Sequence, residues 1–235
     1  MGFKRRFYVV EDDRERVPFE DFKFVNFDDI RPPLGMPRTT RIPHPYGKQP
    51  FSCGLPLFVG KPKVRVGLKS NPPLDAYSQG DPKFISPRAK HLFDEIDPEA
   101  FEYLECETQD RNHRQLDSYW CTSIKRLVIE FDDVNSKYLT VAENMKLEDP
   151  TSNQNIRYMY ELEIPDLPDD IHAFYISRLP RKMIFDDVLV DAWRAAGFTG
   201  LGFIALQEPD DDEYSEMVWL PGYNREYWAQ KRGDI

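Results

Sequence analysis

Proline sets the strongest limit on how this chain folds. Residues 31–90 hold twelve of the 20 prolines. Because proline lacks a backbone N–H, it is excluded from helix interiors and from the middle of central strands. The density of Pro and Gly across residues 31–82 therefore predicts turns, extended loops and short strands. Two short strands are expected there, at Leu57–Val59 and at Lys63–Leu68.

The same segment is basic within an acidic chain. Residues 31–90 contain eleven Lys or Arg and two Asp or Glu, whereas the whole chain of 235 residues has 31 basic and 41 acidic residues and a net charge of −10. The other residues thus carry 20 basic and 39 acidic side chains. A field of that sign argues against a nucleic-acid binder and favours a basic protein partner. The alternative is that the two portions only compensate each other within the fold.

Cysteine usage and hydropathy indicate the cytoplasm. Cys53, Cys106 and Cys121 are odd in number and widely spaced, as expected for reduced thiols. No apolar run approaches the roughly 18 residues of a membrane-spanning helix. The N-terminal stretch MGFKRRFYVVEDD has too short an apolar run for a secretory signal. We therefore expect a cytoplasmic protein that does not enter a membrane.

Periodicity and chain breakers predict the remaining elements. One helix is expected to begin at Ser86–Pro87, where serine caps and proline suits the first turn, and to stop at Pro98. Strands are expected at residues 3–10, 101–107, 119–133, 155–165, 173–179 and 201–205.

These elements predict an α+β fold with a mostly antiparallel sheet, two to four helices and an irregular Pro-rich N-terminal region. Three parts are expected along the chain. They are residues 1–82 with an opening strand and the basic Pro/Gly-rich region, residues 83–207 as the α+β domain, and residues 208–235 as an acidic loop and aromatic tail.

Residues 183–203, MIFDDVLVDAWRAAGFTGLGF, combine acids and glycines in a way that suggests a site. The candidate metal ligands or acid/base groups are Asp186, Asp187 and Asp191, and the candidate phosphate-loop glycines are Gly197, Gly200 and Gly202. A phosphate loop runs from strand through glycines into a helix, whereas this segment reads helix, turn, strand. The pattern therefore favours an N-cap at Asp186 or Asp187 and a helix-ending Gly197.

Other catalytic patterns are weak. The histidines, His44, His91, His113 and His172, lack metal-ligand spacing, and neither a metal nor a cofactor is predicted. Glu161 and Glu163 share one strand face, and Cys53 or Cys106 paired with a distant histidine also fits a hydrolase. A hydrolase of either kind is kept as an alternative.

One segment is typical of a protein interface. EPDDDEYSE, residues 208–216, has six acids and no base, and an aromatic tail follows it. We predict that Asp210, Asp211, Asp212 and Glu213 steer a basic partner, and that Trp219, Tyr223, Tyr227 and Trp228 anchor it. The alternative is a solvated loop followed by a tail that docks on the protein's own core.

Three stretches, KFISPRAKHLFDEI, SYWCTSIKRLVIEFDDVNS and MIFDDVLVDAWRAAGFTGLGFIAL, resemble a known family across residues 80–207. It is the eleventh numbered immunity-protein family of bacterial polymorphic toxin systems, formerly a domain of unknown function. The resemblance implies a cytoplasmic, non-catalytic protein that binds and neutralises a cognate toxin, often a basic enzyme. The family has no established catalytic residues to carry over. A secretion-associated adaptor or scaffold is the other alternative, and a homodimer through the aromatic tail stays open.

Overall fold

The computed structural model of the chain describes residues 5–13, 21–33, 39, 54–78, 83–128, 132–140, 156–164, 167–176 and 179–206. Within these ranges the strands are β1 (Phe7–Asp12), β2 (Phe22–Phe24), β3 (Lys63–Val66), β4 (Ala76–Ser78), β5 (Lys83–Ile85), β6 (Phe101–Glu105), β7 (Glu107–Gln109), β8 (Trp120–Ile124), β9 (Leu127–Val128), β10 (Asp132–Thr140), β11 (Ile156–Glu163), β12 (Ala173–Ile176), β13 (Leu179–Asp186) and β14 (Leu201–Ala205). The helices are α1 (Phe27–Ile30), α2 (Pro87–Ile96) and α3 (Asp187–Ala195). Eight of the ten strand pairs in the described residues are antiparallel, which confirms the α+β prediction.

The five-stranded sheet has the order β14-β1-β13-β12-β9, so the opening strand lies between two strands from near the other end of the chain. All four residues of Phe7–Val10 are buried. Tyr8 and Val10 face one hydrophobic cluster while Phe7 and Val9 face another, because successive side chains of a strand point to opposite faces. A continuous apolar run is what a strand covered on both faces requires.

Helix α2 begins and ends where the sequence predicts. The Ser86 hydroxyl accepts a hydrogen bond from the Ala89 N–H at 3.2 Å, and Pro87 occupies the first turn. Phe93 and Ala89 are buried in the hydrophobic core cluster that also contains residues of both larger sheets. The Phe93 ring stacks on Phe101 with centroids 4.5 Å apart, which joins the helix to the four-stranded sheet β4-β5-β8-β6.

Helix α3 and β14 confirm the helix–turn–strand interpretation of residues 183–203. Asp186 caps the helix, and Gly197 follows its last turn with a φ of 65°, a left-handed conformation that favours glycine. Gly200 has a φ of 104°, and a Cβ there would lie 2.0 Å from the Ala76 carbonyl oxygen. This turn therefore brings β14 against β4 more closely than any side chain permits.

Residues 31–82 contribute two strands, β3 and β4, to the described structure. The prediction at Lys63–Leu68 is confirmed as β3, in which Val64 and Val66 are buried. The strand predicted at Leu57–Val59 is wrong. The described residues there contain one isolated bridge, at Pro56, and the Val59 N–H donates to the Ile30 carbonyl oxygen of α1. Proline at the bridge cannot donate to a ladder, so pairing does not extend.

Other predictions about chain organisation stay predictions. Residues 34–38 and 40–53 lie outside the described residues, so the irregular character of that part of the Pro-rich region is an expectation only. The division at residue 82 is likewise an expectation, with β4 and β5 paired across it. Among the described residues, no helix is long and apolar enough to cross a membrane.

Candidate functional site

The predicted partner-binding residues lie outside the described residues. They are Asp210, Asp211, Asp212, Glu213, Trp219, Tyr223, Tyr227 and Trp228. Cys53 also lies outside them. For Glu161 and Glu163 the structure describes the backbone, which pairs in β11 with Lys137 and Asp132 of β10. The site must therefore be sought among the buried charges and exposed apolar residues that the structure describes.

Asp186 is a fully buried carboxylate whose hydrogen bonds are structural. Its Oδ1 accepts from the Leu189 N–H at 3.0 Å, which caps α3. Its Oδ2 lies 2.9 Å from Arg5 Nε and 2.8 Å from His172 Nδ1. The carboxylate thus ties the opening strand and the start of β12 to a helix N-terminus, where negative charge is favourable.

The other two aspartates of that segment do not join it. Asp187 is the first residue of α3, and Asp191 is exposed with its Oδ1 3.9 Å from Arg194 Nη1. Within the described residues, no group of three or more His, Cys, Asp or Glu side chains is placed to hold a metal ion. Asp186 is therefore the N-cap that the helix pattern predicts, Asp187 lies in the first turn, and Asp191 is exposed on the helix surface.

A second buried carboxylate, Asp75, closes the contact between β4, α2 and the turn before β14. It accepts hydrogen bonds from the Ser86 hydroxyl at 3.0 Å, from Arg88 Nη2 at 2.6 Å and from the Thr199 N–H at 3.0 Å. Arg88 in turn lies over the Phe198 ring, 4.7 Å from its centroid. The Asp75 carboxylate raises the pKa of the Arg88 guanidinium above its usual value.

A third buried carboxylate, Asp97, joins the end of α2 to the start of β12. It accepts from Arg126 Nη1 at 2.6 Å, from the His172 N–H at 2.9 Å and from the Ala173 N–H at 3.2 Å. Each of these three acids is thus hydrogen-bonded by backbone N–H groups and by guanidinium or imidazole donors. Their lone pairs are committed to joining elements and not to abstracting a substrate proton.

The Cys106 thiol is a poor nucleophile. Cys106 and Cys121 are buried, and neither forms a disulfide within the part of the chain that the structure describes. Burial raises the pKa of the Cys106 thiol to about 12, so it stays protonated at neutral pH. His172, one of the four candidate histidines, has its Nδ1 2.8 Å from Asp186 Oδ2. His113 lies against Arg65, with 3.1 Å between its Nδ1 and Arg65 Nη2.

The described surface has one apolar cluster that the sequence analysis missed. It is formed by β2, α1 and the segment that follows Leu55, and we name it the β2–α1 patch. It consists of three phenylalanines whose rings contact one another and of their exposed chain neighbours: Phe24, Phe27 and Phe58 with Val25, Leu57 and Val59. The three phenylalanine rings contact one another edge to face, with centroids 5.3–6.3 Å apart. The available signal was FKFVNF, residues 22–27, whose aromatic density exceeds what a short edge strand can bury.

Among known proteins, no curated protein matches the chain, whereas one family model does. A family model described as an immunity protein family (Imm11) matches residues 12–208, which extends the resemblance at residues 80–207 towards the N-terminus. The match contains Asp75, Asp97, Asp186 and the β2–α1 patch, and it ends at residue 208, the first residue of the acidic loop. The chain therefore belongs to the immunity protein family Imm11.

Proposed function

We propose that this chain is a non-catalytic immunity protein that binds and neutralises a cognate bacterial toxin in the cytoplasm during competition between bacteria. Membership of the immunity family over residues 12–208 carries the proposal. A protein that neutralises a toxin by binding it needs a stable surface and does not need a reactive side chain. The buried acids occupied by structural donors and the protonated Cys106 thiol fit that requirement better than they fit a hydrolase.

The proposed toxin is a basic protein. The net charge of −10 produces a field that attracts a basic partner and accelerates its encounter. The acidic segment Asp210–Glu213 is the proposed steering element, and Trp219, Tyr223, Tyr227 and Trp228 are the proposed anchors of the tail. A tight complex needs a total buried area of about 1,000 Å² or more, with a few buried anchors at its centre.

Co-expression tests the function directly. The reading frame that neighbours this gene is expressed alone and then together with this chain. We expect toxicity from the neighbour alone, restored growth with both, and one complex on a sizing column. An absence of both rescue and complex would reject the immunity role for this pair. Several weak partners in place of one tight partner would favour the adaptor alternative.

The tail assignment has its own test. Charge reversal of residues 210–213 and Trp228→Ala are expected to weaken toxin binding at least about tenfold while leaving the melting temperature unchanged. Reversal of the exposed neighbours Asp169 and Asp170 is a control for charge reversal elsewhere on the surface. If Trp228→Ala unfolds the protein, the tail is part of the core and not an interface.

A further inference from the structure

Exposed large apolar side chains are concentrated in one place on the described surface. Five are exposed among the described residues: Val25, Phe27, Leu57, Val59 and Val188. The first four belong to the β2–α1 patch, and Val188 lies alone on α3. Single exposed hydrophobics are normal on a soluble protein, whereas a contiguous group marks an interaction site.

The patch is held rigid from below. Phe24 contacts the buried Phe84 ring with centroids 5.7 Å apart, which fixes the aromatic group to the core. Asn26 bonds twice to the chain entering β3, accepting from the Lys63 N–H at 2.8 Å and donating to the Lys61 carbonyl oxygen at 3.1 Å. A surface that is already ordered loses little conformational entropy on binding.

Two of the basic side chains near the patch form ion pairs within the protein. Lys61 and Lys63 lie 3.1 Å and 3.0 Å from the carboxylates of Glu105 and Glu107. Asp28 and Asp29, exposed beside Phe27 on α1, have no ion pair within the described part of the chain.

Lys23 of β2 and Arg31, directly after α1, are also exposed, so the two acids and two bases of β2 and α1 balance. The net charge of −10 of the whole chain is therefore what favours a basic partner here. An apolar centre on an acidic protein complements an apolar surface bordered by Lys or Arg.

We propose that the β2–α1 patch is the apolar centre of the toxin-binding surface, and that it receives a toxin face of aliphatic or aromatic side chains bordered by basic residues. This inference rests on the proposed function and names the surface that performs it. The patch lies inside the residues that the family model matches, whereas the tail anchors lie beyond residue 208. The aromatic triad supplies the kind of rigid anchor found at interface centres.

Two patch variants and two controls test the assignment in the full chain. Val59→Arg places a cation on the most exposed apolar side chain of the patch, at 66 % exposure, and Val188→Arg makes the same change at 50 % exposure on α3. Asp28→Lys with Asp29→Lys reverses two adjacent exposed acids beside the patch on α1. Asp169→Lys with Asp170→Lys reverses two adjacent exposed acids elsewhere.

Titration calorimetry with the purified toxin from the neighbouring reading frame is the measurement. We expect both patch variants to raise Kd at least about tenfold, since each meets the toxin's basic border with positive charge, and both controls to change it less than about threefold. Circular dichroism and melting temperature check that each variant is folded. If Val59→Arg does not fold, the double aspartate variant decides.

The possible failures are distinguishable. Unchanged Kd for both folded patch variants, with tight binding by the unmodified chain, overturns the patch and leaves the immunity role intact. A patch variant that turns a dimer into a monomer on a sizing column without changing Kd shows that a second copy of the chain covers the patch, which also overturns the inference. No binding or rescue by the unmodified chain overturns both proposals.

Discussion

Single buried hydroxyls hold the loop between β3 and β4. The Tyr77 hydroxyl accepts hydrogen bonds from the Gly67 N–H at 3.0 Å and the Leu74 N–H at 2.8 Å. The Tyr119 hydroxyl donates to the Leu74 carbonyl oxygen at 2.6 Å. Because this loop forms no strand or helix, its buried backbone groups depend on side chains for their partners.

Replacing Tyr77 tests that dependence. Tyr77→Phe leaves two buried N–H groups without an acceptor, so we expect the free energy of unfolding to fall by about 2–4 kcal/mol. Tyr103→Phe is the matched control. The buried Tyr103 hydroxyl lies near Asp94 without reaching hydrogen-bond geometry, so its removal breaks no hydrogen bond and is expected to leave the free energy of unfolding unchanged or higher. Urea unfolding measures both, and an equal loss in the two variants would contradict the assignment.

Alkaline pH acts on the same region. Burial raises the pKa of Tyr77 and that of the Cys106 thiol each to about 12, from ordinary values of 10.0 and 9.0. In the unfolded chain each group ionises at its ordinary pKa, whereas the folded chain keeps it neutral until about pH 12. Below pH 9 these two groups therefore leave the free energy of unfolding unchanged. Above it, this free energy falls by about 1.4 kcal/mol per pH unit for each group, between the group's ordinary pKa and about pH 12.

Denaturant unfolding at pH 8, 9.5 and 11 measures this fall. The native Cys106 thiol is expected to resist alkylation at pH 8 and to react after unfolding in urea. Rapid alkylation of Cys106 in the folded chain, or stability that rises from pH 9 to pH 11, would contradict the buried neutral state.

At the scale of elements, helix α3 depends on its cap more than on its first-turn charge. Asp186→Ala removes the cap of Leu189 and leaves Arg5 and His172 without their carboxylate, so we expect a loss of about 3 kcal/mol or more. Asp187→Ala, one residue later, is expected to cost about 0.5 kcal/mol, since that side chain contributes mainly through the helix dipole. Thermal unfolding compares the two. Similar melting temperatures would show that Asp186 is not the residue that fixes the helix.

The predictable elements are those whose signals are local. Helix α2 and helix α3 carry capping residues, stop signals and apolar spacing in their own sequence, so the sequence analysis located them. Strand β13, LPRKMIFD, was missed because its first half contains Pro180 and two basic residues and does not alternate. It becomes a strand because β1 and β12 pair with it on either side, and the sequence of a segment does not show its neighbours.

At the scale of the molecule, the sheet order joins distant parts of the chain. Tyr8 of β1 pairs with Phe185 of β13 on one side and with Ala205 of β14 on the other. The opening strand was predicted from its apolar residues, but its central place was not, because pairing over such separations depends on the whole core. The β2–α1 patch was missed for the same reason, since exposure of Phe27 is decided by what packs over it.

The charge of the whole chain predicts how the complex forms. With a net charge of −10, encounter with a basic toxin is steered by a long-range field that salt screens over about 10 Å at 0.1 M. We expect the association rate constant to fall at least about tenfold between roughly 0.05 M and 0.5 M salt, and the dissociation rate constant to change less than about threefold.

The patch is expected to act on the opposite rate. Val59→Ala leaves the net charge unchanged and removes apolar contact, so it should accelerate dissociation and leave association nearly constant, because contacts made only in the final complex control its lifetime. Stopped-flow mixing and surface plasmon resonance separate the two rates, with Val188→Ala as the control. If Val59→Ala slows association instead, the patch does not control the dissociation rate. If salt changes only dissociation, the net charge does not control the association rate.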